Sequence, residues 1–126
     1  MSFTNFLETE ILDHVFAGAA YSAPGTKYLA LYTAAPGETG GGTELSGDAY
    51  ARQSVAFTTS GNTTSNNAAV EFPTATGAWG TITHVGVFDA SSSGNLMCYA
   101  TLTASKVIAS GDVFRVPSGD LDITLD

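Results

Sequence analysis

Thr81-Ile82-Thr83-His84-Val85-Gly86-Val87-Phe88-Asp89 is the stretch on which the fold turns. It is rich in β-branched residues and alternates with the two-residue period of a strand. Val85 and Val87 fall on one side, with Ile82, His84 and Phe88 on the other. The polar run Ser91-Ser92-Ser93-Gly94-Asn95 follows, and then a second apolar segment, residues 96–103. Two strand patterns joined by turn formers read as an antiparallel hairpin.

The same alternation recurs on both sides of this hairpin. Residues 27–33 place Leu29 and Leu31 opposite Tyr28 and Tyr32, and residues 50–58 place Gln53, Val55 and Phe57 opposite Arg52, Ser54 and Ala56. Residues 60–66 read as a polar turn cluster, 68–72 as a short strand ended by Pro73, and 74–80 as a loop. Three more short strands are expected at 106–108, 113–116 and 121–125, punctuated by Gly111-Asp112 and Pro117-Ser118-Gly119. Residues 34–48 hold Pro36 and Gly40-Gly41-Gly42, and form a loop too long for a hairpin turn.

Only the first segment has helical spacing. Phe3, Phe6, Leu7, Ile11, Leu12, Val15 and Phe16 recur at three- and four-residue intervals, which puts them on one face, with Glu8, Thr9 and Asp13 on the other. Ser2 or Thr4 can cap its start, and Gly18 is placed to stop it. Such a helix either covers its own sheet or docks on a neighbouring subunit, and spacing does not choose between them.

Strands that follow one another without crossover helices pair antiparallel. The fold expected is therefore mainly β: an antiparallel β-sandwich or a jelly-roll-like barrel of about eight short strands with one N-terminal amphipathic helix. A chain of 126 residues suits one domain, 1–126, with the helix in 1–18 and the sandwich in 27–126.

Composition narrows the function. Charged residues make up 13% of the chain, against about 25% in a typical soluble protein. A surface of Thr, Ser, Ala, Gly and Asn loses little ionic hydration when covered, which favours a protein packed against others. The net charge is −8, and the cations are Lys27, Arg52, Lys106 and Arg115. Four cations build neither a phosphate-neutralising patch nor a polybasic anchor, so no nucleic-acid or membrane partner is expected. No apolar run approaches the roughly 18 residues of a membrane span, and Met1-Ser2-Phe3-Thr4 lacks the basic start of a secretory signal. The single cysteine, Cys98, sits in the apolar run Leu96-Met97-Cys98-Tyr99, consistent with synthesis in a reducing host cytoplasm.

No catalytic constellation is evident. His14 and His84 lack zinc-signature neighbours, and Cys98 reads as a buried inert thiol. Gly40-Gly41-Gly42 has no following Lys-Ser/Thr, so it reads as a flexible loop. Asp112, Asp120 and Asp122 lack the regular spacing of a calcium loop and read as an acidic edge. Tyr21, Tyr28, Tyr32, Tyr50, Trp79 and Tyr99 are candidate sugar-stacking platforms, though packing uses the same residues more often. The chain is expected to be no enzyme and to need no metal or cofactor.

Several segments carry a resemblance. These are Asn5-Phe6-Leu7-Glu8 with Leu12-Asp13-His14-Val15-Phe16, Leu31-Tyr32-Thr33-Ala34-Ala35-Pro36, Gly47 with Tyr50-Ala51-Arg52-Gln53, and Asn67-Ala68-Ala69-Val70-Glu71-Phe72-Pro73. Trp79-Gly80-Thr81-Ile82-Thr83-His84-Val85-Gly86 and Ser110-Gly111-Asp112-Val113-Phe114-Arg115 complete the set. In this order the chain resembles a family of small tailed-phage structural proteins often labelled tail fibre proteins.

The resemblance implies a virion component. Lacking a shaft-like repeat, the chain is expected to be a capsid cement or decoration protein on the capsid surface. It would act as a homotrimer bound between major capsid subunits. A tail or baseplate component, with tail proteins as partners, is the alternative, and a carbohydrate-binding module is the second. Partner contacts are expected from Phe3, Phe6, Leu7, Pro36, Arg52, Trp79 and Arg115, with the helix and the 34–48 loop reaching the shell.

Overall fold

In the computed structural model, which describes residues 1–126, the chain runs β1 (Ser2–Phe3), α1 (Asn5–Phe16), β2 (Lys27–Ala34), β3 (Thr43–Glu44), β4 (Gln53–Val55), β5 (Phe57–Ser60), β6 (Thr63–Asn66), β7 (Val70–Glu71), β8 (Gly80–Phe88), β9 (Leu96–Ile108), β10 (Arg115–Val116) and β11 (Asp122–Thr124). The β8–β9 hairpin is its spine. β2 pairs with the other side of β8, with Leu29 opposite Val87 and Leu31 opposite Val85. β1 adds to the free edge of β9, while β3 and β4 pair with opposite ends of β2, giving six strands. β11-β6-β5 and β10-β7 form two smaller sheets. Every pairing is antiparallel, and no sheet closes into a barrel, so the sandwich alternative holds and the barrel does not.

The main core lies on one side of the large sheet. Leu29, Leu31, Val55, Ile82, Val85, Val87 and Cys98 of the large sheet meet Val70, Phe72, Trp79, Phe114 and Leu121 from the smaller sheets and the connecting loops. On the opposite side of the sheet its own Ala30, Tyr32, Phe88 and Leu96 form a smaller buried cluster, with Arg52 lying over the Phe88 ring. This is why residues 29–32 and 85–88 are buried without interruption. Gly86 leaves room for that cluster: a Cβ there would lie 2.6 Å from Leu96 Cδ1 and 3.2 Å from a ring carbon of Tyr32.

The structure corrects several details. Ile82 shares the core with Val85 and Val87 and does not oppose them, because the β8–β9 register shifts between Ile82 and His84. A bulge breaks strict alternation. Residues 60–66 are mostly strand: β5 and β6 form a hairpin turning at 61–62, with Thr59 Oγ1 donating to Thr64 Oγ1 at 3.0 Å. Residues 50–58 divide at Ala56, where the chain leaves β4 on the large sheet for β5 on the three-stranded one. Residues 106–108 belong to β9 itself.

The 34–48 segment folds back on the sheet and is no open loop. Asn5 N–H donates to the Glu38 carbonyl at 3.1 Å, and Leu45 N–H to the Leu31 carbonyl at 3.0 Å. Gly42, at φ +75°, would place a Cβ 2.5 Å from the Ala35 carbonyl oxygen, so the fold-back requires glycine.

Candidate interaction surfaces

The helix is held at its start and free at its end. Thr4 is the N-cap by position but makes no capping hydrogen bond. Its buried hydroxyl instead donates to the carbonyls of Leu96, at 2.6 Å, and Met97, at 3.2 Å, which ties α1 to β9. Gly18, at φ +74°, ends the helix as expected, and the N–H groups of Ala17 and Ala19 both donate to the Asp13 carbonyl. Phe3, Phe6 and Leu7 pack against the main core, and Phe6 meets the Tyr21 ring edge-on at 6.5 Å.

The apolar residues of α1 do not act as one face. Leu12 is 56% exposed, Val15 60% and Phe16 81%, so the outer half of the pattern has no partner within the chain. A further hollow between Phe3, Glu8, Ile11, Leu12 and Leu125 continues this patch toward the C-terminus. The helix therefore covers its own core with Phe6 and Leu7 and leaves Leu12, Val15 and Phe16 exposed.

Beside the helix lies an apolar groove of about 360 Å³. Phe3, Leu7, Tyr21, Pro24, Phe57 and Ile123 line it together with buried Val87, Met97 and Cys98. Lys27 is its one charged lining residue. Burial pushes the Cys98 thiol up to about 12, so it stays protonated and is a poor nucleophile.

Arg52 pairs with an acid of its own chain. Its Nε donates to Glu44 Oε2 at 2.9 Å and its Nη2 to Glu44 Oε1 at 2.8 Å, a two-pronged ion pair and the sole salt bridge of the structure. Nη1 donates to the carbonyls of Ala90 and Ser93, and the guanidinium lies 3.5 Å from the centroid of the Phe88 ring. Tyr50 extends the network: its hydroxyl donates to Glu44 Oε2 at 2.8 Å and accepts from Leu31 N–H at 3.1 Å. Burial, with Glu44 nearby, raises the Tyr50 and Tyr32 hydroxyls, Tyr32 to about 12. Sequence reasoning did not find Glu44 as the partner of Arg52, since an irregular turn separates them and no local spacing marks the pair.

Trp79 and Pro36 lie inside the fold. Trp79 is 6% exposed, donates its indole N–H to the Asp48 carbonyl at 2.9 Å, and packs edge-on with Tyr50 and Phe72. Phe72 in turn stacks with Tyr50 and meets Phe114 edge-on. Pro36 is buried at the fold-back of the 34–48 segment. Arg115 is exposed on β10, opposite Glu71 in register and beside a hollow that Lys106 and Asp120 also line. The structure thus gathers Phe3, Phe6 and Leu7 at α1, and leaves Arg52, Trp79, Pro36 and Arg115 apart from them.

The remaining candidates are separate too. His14 Nδ1 accepts from Tyr21 N–H at 3.1 Å, and His84 shares a hydrogen bond with Thr83. Asp112 accepts from Ala109 N–H at 2.9 Å, and Asp122 bonds Ser65 Oγ. The candidate stacking aromatics do not form one platform: Tyr32 and Trp79 are buried, and Tyr99 donates its hydroxyl to Glu38 at 2.7 Å on the opposite side of the fold from the Lys27 groove.

The fold is thus a small antiparallel sandwich in which Arg52, Tyr50, Phe72, Trp79 and Phe114 are engaged internally, while Leu12, Val15 and Phe16 and an apolar groove stay open beside the helix. Comparison with known families gives the class: residues 2–124 match the family described as Podophage GP4 fiber I protein gp80. The chain belongs to that family of phage fibre-related virion structural proteins. No curated protein matches it.

Proposed function

We propose that the chain is a non-catalytic, self-associating subunit of a phage fibre, contacting neighbouring virion proteins through the α1 side of the molecule. The observation that carries this reading is the family match, which runs from residue 2 to residue 124 and so covers both α1 and the whole sandwich. A homotrimer is the assembly proposed, a closed ring in which every chain makes the same contact.

The second reading is capsid cement, with the major capsid protein as partner. It is favoured by shape: the longest strand, β9, has 13 residues and lies within the sandwich, so the chain contains no shaft. Gold-labelled binder imaged on intact particles separates the two. Label on fibres at the tail supports the fibre reading, while label in a lattice over the head overturns it in favour of cement. Particles without label would overturn both and turn attention to glycan binding.

A further inference from the structure

Two unpartnered features of this chain are complementary to each other. The first is a knob, the end of α1, where Phe16 is 81% exposed beside Leu12 and Val15. Asp13 stands one turn before Phe16, on the neighbouring part of the helix surface. The second is a hollow, the apolar groove of about 360 Å³ whose one charged lining residue is Lys27. We propose that the end of α1 in one copy docks into the Lys27 groove of a second copy, with Phe16 entering the groove and Asp13 facing Lys27. This rests on the self-association in the reading above and names its interface.

Charge supports a second copy as the occupant. The chain has four cations, and Arg52 is already committed to Glu44. Of the other three, Lys106 and Arg115 border a hollow that also holds Asp120, whereas Lys27 borders an apolar groove lined by no acid. An acid arriving beside an aromatic residue would meet an unopposed cation there. The chain cannot fill its own groove this way. Leu7 lines the groove, and Phe16 lies nine residues further along the helix, about 13 Å away by helical rise. Because knob and hollow are different patches, the contact is heterologous, and repetition closes a ring or continues as a chain of copies. A desolvated central aromatic inside a less apolar surround is the usual energetic centre of such contacts.

The test is the mass of the full chain in solution by sedimentation equilibrium, for the wild type, Phe16→Ser, Lys27→Glu, and Asp13→Lys combined with Lys27→Glu. The wild type should sediment as a multiple of 12.9 kDa. Phe16→Ser should raise the dissociation midpoint by about tenfold or more. Lys27→Glu should raise it by less, and the double charge exchange should recover part of the loss. Thermal unfolding of each variant confirms that the fold is kept. An oligomer unchanged by Phe16→Ser and Lys27→Glu would overturn this interface while leaving self-association standing. A wild type that stays at 12.9 kDa up to about 100 μM would overturn both.

Discussion

The Tyr50 side of the molecule and the α1 side contain similar residues and use them in opposite ways. Around Tyr50, the rings of Phe72, Trp79 and Phe114 interlock, and Glu44 and Arg52 neutralise each other above Phe88. Around α1, Phe16, Val15 and Leu12 face solvent, and Lys27 borders an apolar groove without an acid. Aromatic rings and cations are therefore no guide to function by themselves. What distinguishes the two regions is whether each group already has its partner within the chain. Substitutions on the first side should cost stability, and those on the second should cost association.

The strongest way to break this contrast is Phe72→Ala. Phe72 is 2% exposed and touches three other rings, so truncation leaves a cavity that its neighbours cannot fill. A loss of about 3–5 kcal/mol is expected in denaturant unfolding. A loss below about 1 kcal/mol would mean that the cluster is loosely packed and the contrast misplaced.

Arg52→Ala comes next. It removes the two-pronged contact to Glu44 and two bonds to backbone carbonyls, and uncovers the Phe88 ring. The arginine side chain is 9% exposed and the glutamate 24%, so solvent screens part of the interaction, and about 2 kcal/mol is expected. Arg52→Lys should recover less than half of this, since an ammonium cannot reproduce the planar fork. An Arg52→Ala variant that unfolds with the wild type but fails to self-associate would reassign Arg52 to an interface.

The legibility of these two regions in the sequence follows from the same distinction. The β8–β9 hairpin and β2 were readable because a two-residue apolar period is a local signal. The presence of α1 and its stop at Gly18 were local as well. The roll of the helix was not, since spacing groups Phe6 and Phe16 together whereas docking through Thr4 and Leu7 half-buries one and frees the other. β6 escaped because Thr63-Thr64-Ser65-Asn66 has the composition of a turn, and only pairing with β5 and β11 makes it a strand. The Glu44–Arg52 pair depends on the two-residue β3 reaching Tyr32 and on Gly42 permitting the fold-back. These are tertiary conditions that no window of sequence contains.

A smaller effect is expected at high pH. The thiol of Cys98 and the hydroxyl of Tyr32 both titrate higher in the folded chain, at about 12, than their ordinary values of about 9 and 10. The folded state thus holds protons that the unfolded state releases. Their contribution is fully present below pH 9, and is lost as pH rises from there to about 12. Cys98, at 2% exposure, gives a slope of at most about 1.4 kcal/mol per pH unit. Cys98→Ala should flatten the stability profile between pH 9 and 11, and an unchanged profile would show that the thiol is open to solvent in the folded state.

The smallest effect on stability is expected for Phe16→Ser, and there the comparison becomes sharpest. At 81% exposure the ring forms little packing within its own chain, so unfolding free energy should change by no more than about 0.5 kcal/mol. Removing an exposed aromatic ring normally improves solubility without other consequence. If the α1 side is built for contact, the same substitution should weaken self-association while leaving the unfolding curve in place. Phe72→Ala should do the reverse at low denaturant, reducing stability while the molecules that remain folded still associate. Two phenylalanines in one small chain, one silent in unfolding and one silent in association, would establish that the division between the regions is energetic as well as geometric. A Phe16→Ser variant that loses stability by 2 kcal/mol or so would instead mean that α1 packs inward through this residue, and that its outer face is already occupied within the chain.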